Sequence, residues 1–312
     1  MKSNQIKGNL FLAITTLIWG TTFVMQDMAM EVIGPFEFQA VRSLIGGLVL
    51  IPAILILDAV RKRNGTYRKM SKEELKLLSF GGIVCGFCLC VASCFQQVGI
   101  AYGTSAGKAG FITAMYIIFV PILGLFFKKK VQPLFWICVI LAVGGLYLLC
   151  VSGGEDTEGI TTGDLLMLIC AVAFAFQILA IDHFAPKVDC LKLSCIQFFM
   201  SGIFSFIPMF LYEGFHIEKI QAAIFPILFA GVLSCGVAYT LQTVGQKYSK
   251  PTIASLIMSF ESFFAAFTEA LIKWRLPSSR EIFGFLLMLS AILLSQIQLP
   301  VKKKDTAPRS ST

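Results

Sequence analysis

The chain has 312 residues, 56% of them hydrophobic and only 14% charged, with a mean hydropathy of +0.79. About a quarter of the residues of a soluble domain are charged, so this balance excludes a soluble enzyme or soluble binding module and describes a chain that faces lipid. The formal net charge of +8 sorts along the connections as a topology signal, and no nucleic-acid partner is expected.

A spanning helix needs about 20 mostly apolar residues. Ten such stretches follow one another, at 8–28, 36–57, 77–101, 104–127, 134–151, 163–181, 193–212, 222–243, 252–272 and 282–299. The first is too long for a signal-peptide apolar region and no small-residue cleavage site follows it, so it reads as a retained helix. The connections are short, and a polar tail, 301–312, closes the chain.

The basic residues alternate between connections. One side holds Lys2, Lys7, the run RKRNGTYRKMSKEELK (61–76), Lys128 to Lys130, Lys187, Lys192, Lys247, Lys250 and the tail lysines. The other holds Lys219, Lys273, Arg275 and Arg280, with the acidic Asp27, Glu31, Glu155, Asp156 and Glu158. The positive-inside rule then predicts ten crossings with both termini in the cytoplasm, in a plasma membrane such as the bacterial inner membrane.

The chain also repeats. Adding 155 carries Gly8 to Gly163, Asp27 to Asp182 and Arg42 to Gln197; further on, adding 146 carries Gln96, Val98, Gly99 and Tyr102 to Gln242, Val244, Gly245 and Tyr248. The change in offset falls at the long basic loop. The predicted fold is therefore an all-α membrane protein with ten transmembrane helices as two inverted five-helix repeats: residues 1–151, residues 152–300, and the cytoplasmic tail 301–312. Five is odd, so the second unit enters the bilayer from the opposite face. Such inverted repeats recur in secondary transporters.

Ionisable groups within a bilayer cost about 2.5–3.5 kcal/mol on insertion scales and call for a partner or a watery cavity. Arg42, Lys108, Glu261 and Glu269 are of this kind. The candidates for binding a substrate or a coupling proton are Glu261, Lys108, Gln96, Gln242, Arg42, Trp19 and Tyr116. Glu261 is expected near mid-membrane, where it could take up a proton. The plainer readings stay open: Arg42 and Lys108 snorkelling to headgroups with the glutamates neutralising them, the glutamines bonding neighbouring helices, and the aromatics packing. Gln97, Gln177 and Gln197 add further amides.

Ten cysteines, four of them at 85, 88, 90 and 94, read as small apolar packing residues, with no metal, disulfide framework or cofactor expected. No Walker-type glycine loop is present, so direct ATP coupling is not expected.

The motifs IWGTTF (18–23), TSAGKAGFITAMYIIFVPILG (104–124), GDLLMLICAVAFA (163–175) and VGQKYSKPTIASLIMSFESFFAAF (244–267), with Arg42, lie in the order seen in one family. Over roughly residues 8–299 the chain resembles the EamA branch of the drug/metabolite transporter superfamily. It departs from the Gly-Glu pair often found at the end of the fourth helix of each half, having Lys128 to Lys130 and Lys273-Trp274-Arg275 there, so no role is carried over to those positions. The resemblance implies a secondary transporter of amino acids or other small polar metabolites, an exporter by preference. Its partners would be a small-molecule substrate, the lipid bilayer and a proton or other coupling ion. Nucleotide sugars and lipid-linked cargo stay open, as does a non-transporting sensor or scaffold, and an oligomeric state is not readable.

Overall fold

The structure is a computed structural model and describes residues 2–129, 131–150, 161–272, 274 and 278–295. Glu155, Asp156, Glu158, Lys130, Lys273, Arg275 and the tail 301–312 lie outside the described residues. Every regular element among the described residues is helical. In order they are α1 Lys2–Met30, α2 Pro35–Arg63, α3 Lys72–Ala101, α4 Ala106–Thr113, α5 Tyr116–Phe126, α6 Pro133–Cys150 and α7 Thr162–Phe184. There follow α8 Cys190–Tyr212, α9 Ile217–Ala222, α10 Ile224–Leu228, a π-helical stretch Phe229–Ala238, α11 Tyr239–Tyr248, α12 Pro251–Met258, α13 Glu261–Ile272 and α14 Ser279–Ser295.

Taking α4–α5, α10–α11 and α12–α13 as one each, eight of these are long and apolar enough to cross a membrane. The fifth and tenth expected spans are the shorter α6 and α14, of 18 and 17 residues, which pack on one another. Leu10, Leu55, Phe80, Ile140, Phe210 and Leu211 are each more than half exposed, whereas glutamines, serines and threonines fill the interior. That distribution suits a multi-pass membrane protein, whose perimeter is solvated by hydrocarbon.

Local chemistry sets the helix ends. Proline opens α2, α6 and α12, where its missing N–H costs nothing. Capping boxes start α3 (Ser71 with Glu74) and α7 (Thr161 with Asp164), and Asp189 caps α8. The basic run is not a long loop. Arg61, Lys62 and Arg63 form the last turn of α2, where cations favour the helix dipole, and α3 starts at Lys72.

Continuous crossing brings the start of α1, the end of α2 and the start of α3 to one end of the bundle, together with the basic residues near Arg61, Lys129, Lys187 and Lys247; this is termed the basic end. Two glycine pairs register the helices. A Cβ on Gly8 would come within 2.9 Å of the Gly245 carbonyl oxygen, and one on Gly245 within 2.9 Å of that of Gly8, so α1 meets α11 at the basic end. Gly99 and Gly163 make the same reciprocal approach, 3.1 and 2.9 Å, between α3 and α7 at the opposite end.

Helices α2 and α8 are tied at both ends. At the basic end Arg61 lies 2.7 Å from Asp189 and 3.4 Å from Asp58, and Lys192 lies 2.7 Å from Asp58. At the opposite end the Glu213 carboxylate accepts the backbone N–H groups of Phe36 (3.0 Å) and Glu37 (2.8 Å), and Glu37 accepts that of His216 (2.6 Å).

Candidate functional site: a cavity between two broken helices

Two of the span-length helices are interrupted in mid-course. α4 passes to α5 at Ala114–Met115, and α12 to α13 at Ser259–Phe260. At both places the backbone tightens to i−3 hydrogen bonds, from Met115 to Ile112 (3.1 Å) and from Phe260 to Ile257 (3.1 Å). Serine chemistry accompanies both breaks. Ser255 and Ser259 turn their hydroxyls back onto the carbonyls of Thr252 (2.9 Å) and Leu256 (2.8 Å), competing with the helix ladder. Ser262 donates across to the Gly110 carbonyl (2.7 Å), which links one break to the other.

Tyr116 opens α5 and Glu261 opens α13, and the Tyr116 hydroxyl donates to Glu261 Oε1 over 2.9 Å. Beside them lies a small cavity of about 30 Å³. Its sixteen lining residues are all less than 10% exposed, so this conformation is occluded. Six of the seven candidate residues line it: Trp19, Arg42, Gln96, Tyr116, Gln242 and Glu261.

Arg42 comes from α2. Its Nε donates to Gln39 Oε1 (2.7 Å), its Nη1 to Gln26 Oε1 (3.4 Å), and its guanidinium lies 5.1 Å from the Phe38 ring centre. Neither Arg42 nor Glu261 forms an ion pair with another described residue. The walls are amide and aromatic. Trp19 and Tyr239 meet with ring centres 4.5 Å apart, and the buried Trp19 Nε1 has no hydrogen-bond partner among the described residues.

Lys108 is placed elsewhere. Its Nζ sits 2.7 Å from Asp164 at the start of α7, where the same carboxylate completes the α7 capping box. Arg42 and Lys108 thus do not pair with Glu261. Lys108 takes Asp164, Arg42 takes amide oxygens, and Glu261 takes a phenol. Among the described residues no group of three or more His, Cys, Asp or Glu is placed to hold a metal ion. Cys90 and Cys94 contact one another (3.8 Å), and Cys90 also contacts Ser205 (3.3 Å).

The EamA-like transporter family matches the chain twice, over residues 6–151 and 161–296. The chain belongs to the EamA-like transporter family. An uncharacterized transporter of Archaeoglobus fulgidus is 30% identical over 298 residues, covering 93% of this chain and 86% of the relative. The uncharacterized transporter YoaV of Bacillus subtilis is 24% identical over 276 residues, covering 84% and 87%. A crystal structure superposes with a TM-score of 0.70 at 14% identity, over 91% of this chain and 94% of its own, which shows the shared fold alone.

Several residues that line the cavity do not stand out in the sequence: Gln26, Thr113, Ser234 and Tyr239. For Gln26 a signal existed. Trp19, Thr22, Phe23 and Gln26 recur at the i, i+3, i+4, i+7 spacing of one helix face, and all four line the cavity.

Proposed function

We propose that this transporter moves a small zwitterionic metabolite, an amino acid or a close relative, across the plasma membrane. The observation that carries this reading is that Arg42 and Glu261 are 4% and 3% exposed in one cavity, with no ion-pair partner among the described residues. A buried ionisable group needs an opposite charge or is held neutral, and a cargo can supply the missing charge. A cargo carboxylate meets the guanidinium fork and a cargo ammonium meets Glu261, while the wall of Trp19, Phe174, Ile178, Tyr239 and Met258 accepts an apolar side chain. A proton on Glu261 competes with the ammonium, which couples transport to a pH gradient.

Nucleotide sugars are disfavoured because Arg42 is the one basic residue among those lining the cavity, too little for a diphosphate. A sensor or scaffold has no use for a guanidinium and a carboxyl buried in one cavity, and the reading is transport without catalysis.

Alternating access between two inverted five-helix halves, residues 1–151 and 152–300, is the mechanism we favour. It is supported by the reciprocal Gly8–Gly245 and Gly99–Gly163 contacts, whose partners are exchanged by the sequence offsets. It is supported too by breaks at matching places in α4–α5 and α12–α13. Discontinuous helices at mid-membrane are a recurring feature of transporter binding sites. The basic end is cytoplasmic in this reading, as the positive-inside rule requires, and the direction is export.

The test is counterflow in proteoliposomes with labelled amino acids, organic acids, nucleosides and sugar nucleotides, with and without a pH gradient. Accumulation of an amino acid is the expected result, and its loss in a folded Glu261→Gln variant is expected to be at least tenfold. Accumulation confined to sugar nucleotides, or full activity of Glu261→Gln, overturns the reading.

A further inference from the structure

The cavity is closed toward the two ends of the bundle by side chains of different character. Toward the opposite end runs a chain of hydrogen bonds in which each amide faces one way. Gln39 Nε2 donates to Ser201 Oγ (3.3 Å), and Gln39 Oε1 accepts from Arg42 Nε (2.7 Å). Gln26 Oε1 accepts from Arg42 Nη1 (3.4 Å), Gln26 Nε2 donates to Gln96 Oε1 (3.2 Å), and Gln96 Nε2 donates to Thr113 Oγ1 (3.3 Å). This chain joins α8, α2, α1, α3 and α4, and it ends immediately before the Ala114–Met115 break.

Toward the basic end the closure beside the cavity is neutral and narrower, and the ion pairs at that end, such as Lys129 with Asp182, lie farther out and are part-exposed, where such pairs contribute little. Gln177 and Gln242 exchange amide bonds (3.4 and 3.3 Å), and Gln246 Nε2 donates to the Ile178 carbonyl (3.0 Å), all between α7 and α11. Ser194 and Thr243 add one hydroxyl contact to α8 (3.0 Å). Depth follows from connectivity. Gln26 and Gln96 stand four and five residues from the ends of α1 and α3 at the opposite end, and Gln177 and Gln242 seven and six from the ends of α7 and α11 at the basic end.

We infer that Arg42 anchors a latch holding the opposite end shut, so that the empty transporter opens first at its basic end. Hydrogen bonds with an ionised partner are roughly twice as strong as neutral ones, and this latch spans five helices. The position matching Arg42 at the offset of 155 is Gln197, fully buried with neither amide atom bonded, so the basic-end closure has no buried charge at the matching position. Unbonded buried amides do not tip the balance. Gln97 toward the opposite end and Gln197 toward the basic end both lack partners, and each gains water when its own end opens.

The guanidinium that anchors the latch also lines the cavity. A cargo carboxylate arriving from the basic end competes with the Gln26 and Gln39 oxygens for its N–H groups, and so releases the closure on the far side. That second step rests on the zwitterion reading above; the latch does not.

The experiment measures distances without cargo in the full chain, freed of native cysteines and held in lipid nanodiscs. Spin labels at Val32 and Tyr102 report the opposite end; labels at Lys187 and Lys247 report the basic end. Parent protein is expected to give one short distance at Val32–Tyr102 and a second, longer component at Lys187–Lys247. Arg42→Met is expected to raise the long population at Val32–Tyr102 by about tenfold, with Arg42→Lys restoring much of the closure. Gln242→Leu should move only the basic-end pair. If Arg42→Met folds poorly, Gln26→Leu carries the same expectation. An unchanged Val32–Tyr102 distance in the folded variant, or equal widening at both ends as from a packing defect, overturns the proposal. Failure of added amino acid to widen Val32–Tyr102 overturns the cargo-release step while leaving the cargo-free result standing.

Discussion

The indole of Trp19 is buried against the cavity, with its N–H unbonded among the described residues. A buried donor without an acceptor costs about 1–3 kcal/mol, and in the proposed reading a cargo oxygen accepts from it. Trp19→Phe removes that donor at the expense of some packing, and the two effects offset. Its unfolding free energy is therefore expected to stay within about 1 kcal/mol of the parent, while half-saturation for cargo rises by about tenfold, a loss typical of one good hydrogen bond. Thermal unfolding and counterflow measured on the same preparation decide the matter. Marked destabilisation with unchanged half-saturation would assign Trp19 to packing.

At the scale of elements, the prolines and the breaks do not coincide. Pro52, Pro121 and Pro208 sit inside α2, α5 and α8 without ending them, because neighbouring groups in a membrane bundle satisfy the one lost bond. The interruptions fall instead where serine hydroxyls take backbone carbonyls, at Ser259 and through Ser262 at Gly110. The tie between α2 and α8 at the basic end is ionic. Burial pushes the Asp189 carboxyl up, but the Arg61 guanidinium and the Lys192 backbone N–H outweigh it and hold the carboxyl below its usual value of 3.8. A lowered carboxylate stabilises above its unfolded pKa and ceases to do so as pH falls through the folded one. Asp189→Asn is therefore expected to lower the melting midpoint by about 2–4 °C at pH 7, and the gap to the parent should close toward pH 3. A gap that persists at pH 3 would show that the carboxylate's charge is not what matters.

For the whole molecule the orientation is the quantity to test. The basic end carries Lys62, and the charge pattern predicts Asp156 on the other side. In a variant lacking native cysteines, a cysteine at Asp156 is expected to react with a membrane-impermeant maleimide on intact cells, and one at Lys62 only after lysis. The reverse pattern would invert the proposed orientation and with it the assignment of export.

Composition and periodicity were enough to read a helical membrane protein, because lipid solvation demands long apolar runs and internal hydrogen bonding. The motifs in order were enough to read the family. Spacing along single helices also placed Arg42, Glu261, Gln96 and Gln242 among the polar groups to watch, since charges and amides are scarce in such runs. Which polar group faces which was not legible. Lys108 and Arg42 look alike in sequence, yet one meets Asp164 on α7 and the other closes a chain of amides across α1, α2 and α3. The partners are up to 179 residues apart in the contacts that tie α2 to α8. Only the packed helices bring such groups within reach, because side-chain pairing depends on rotation and register between helices, and no single apolar run encodes either.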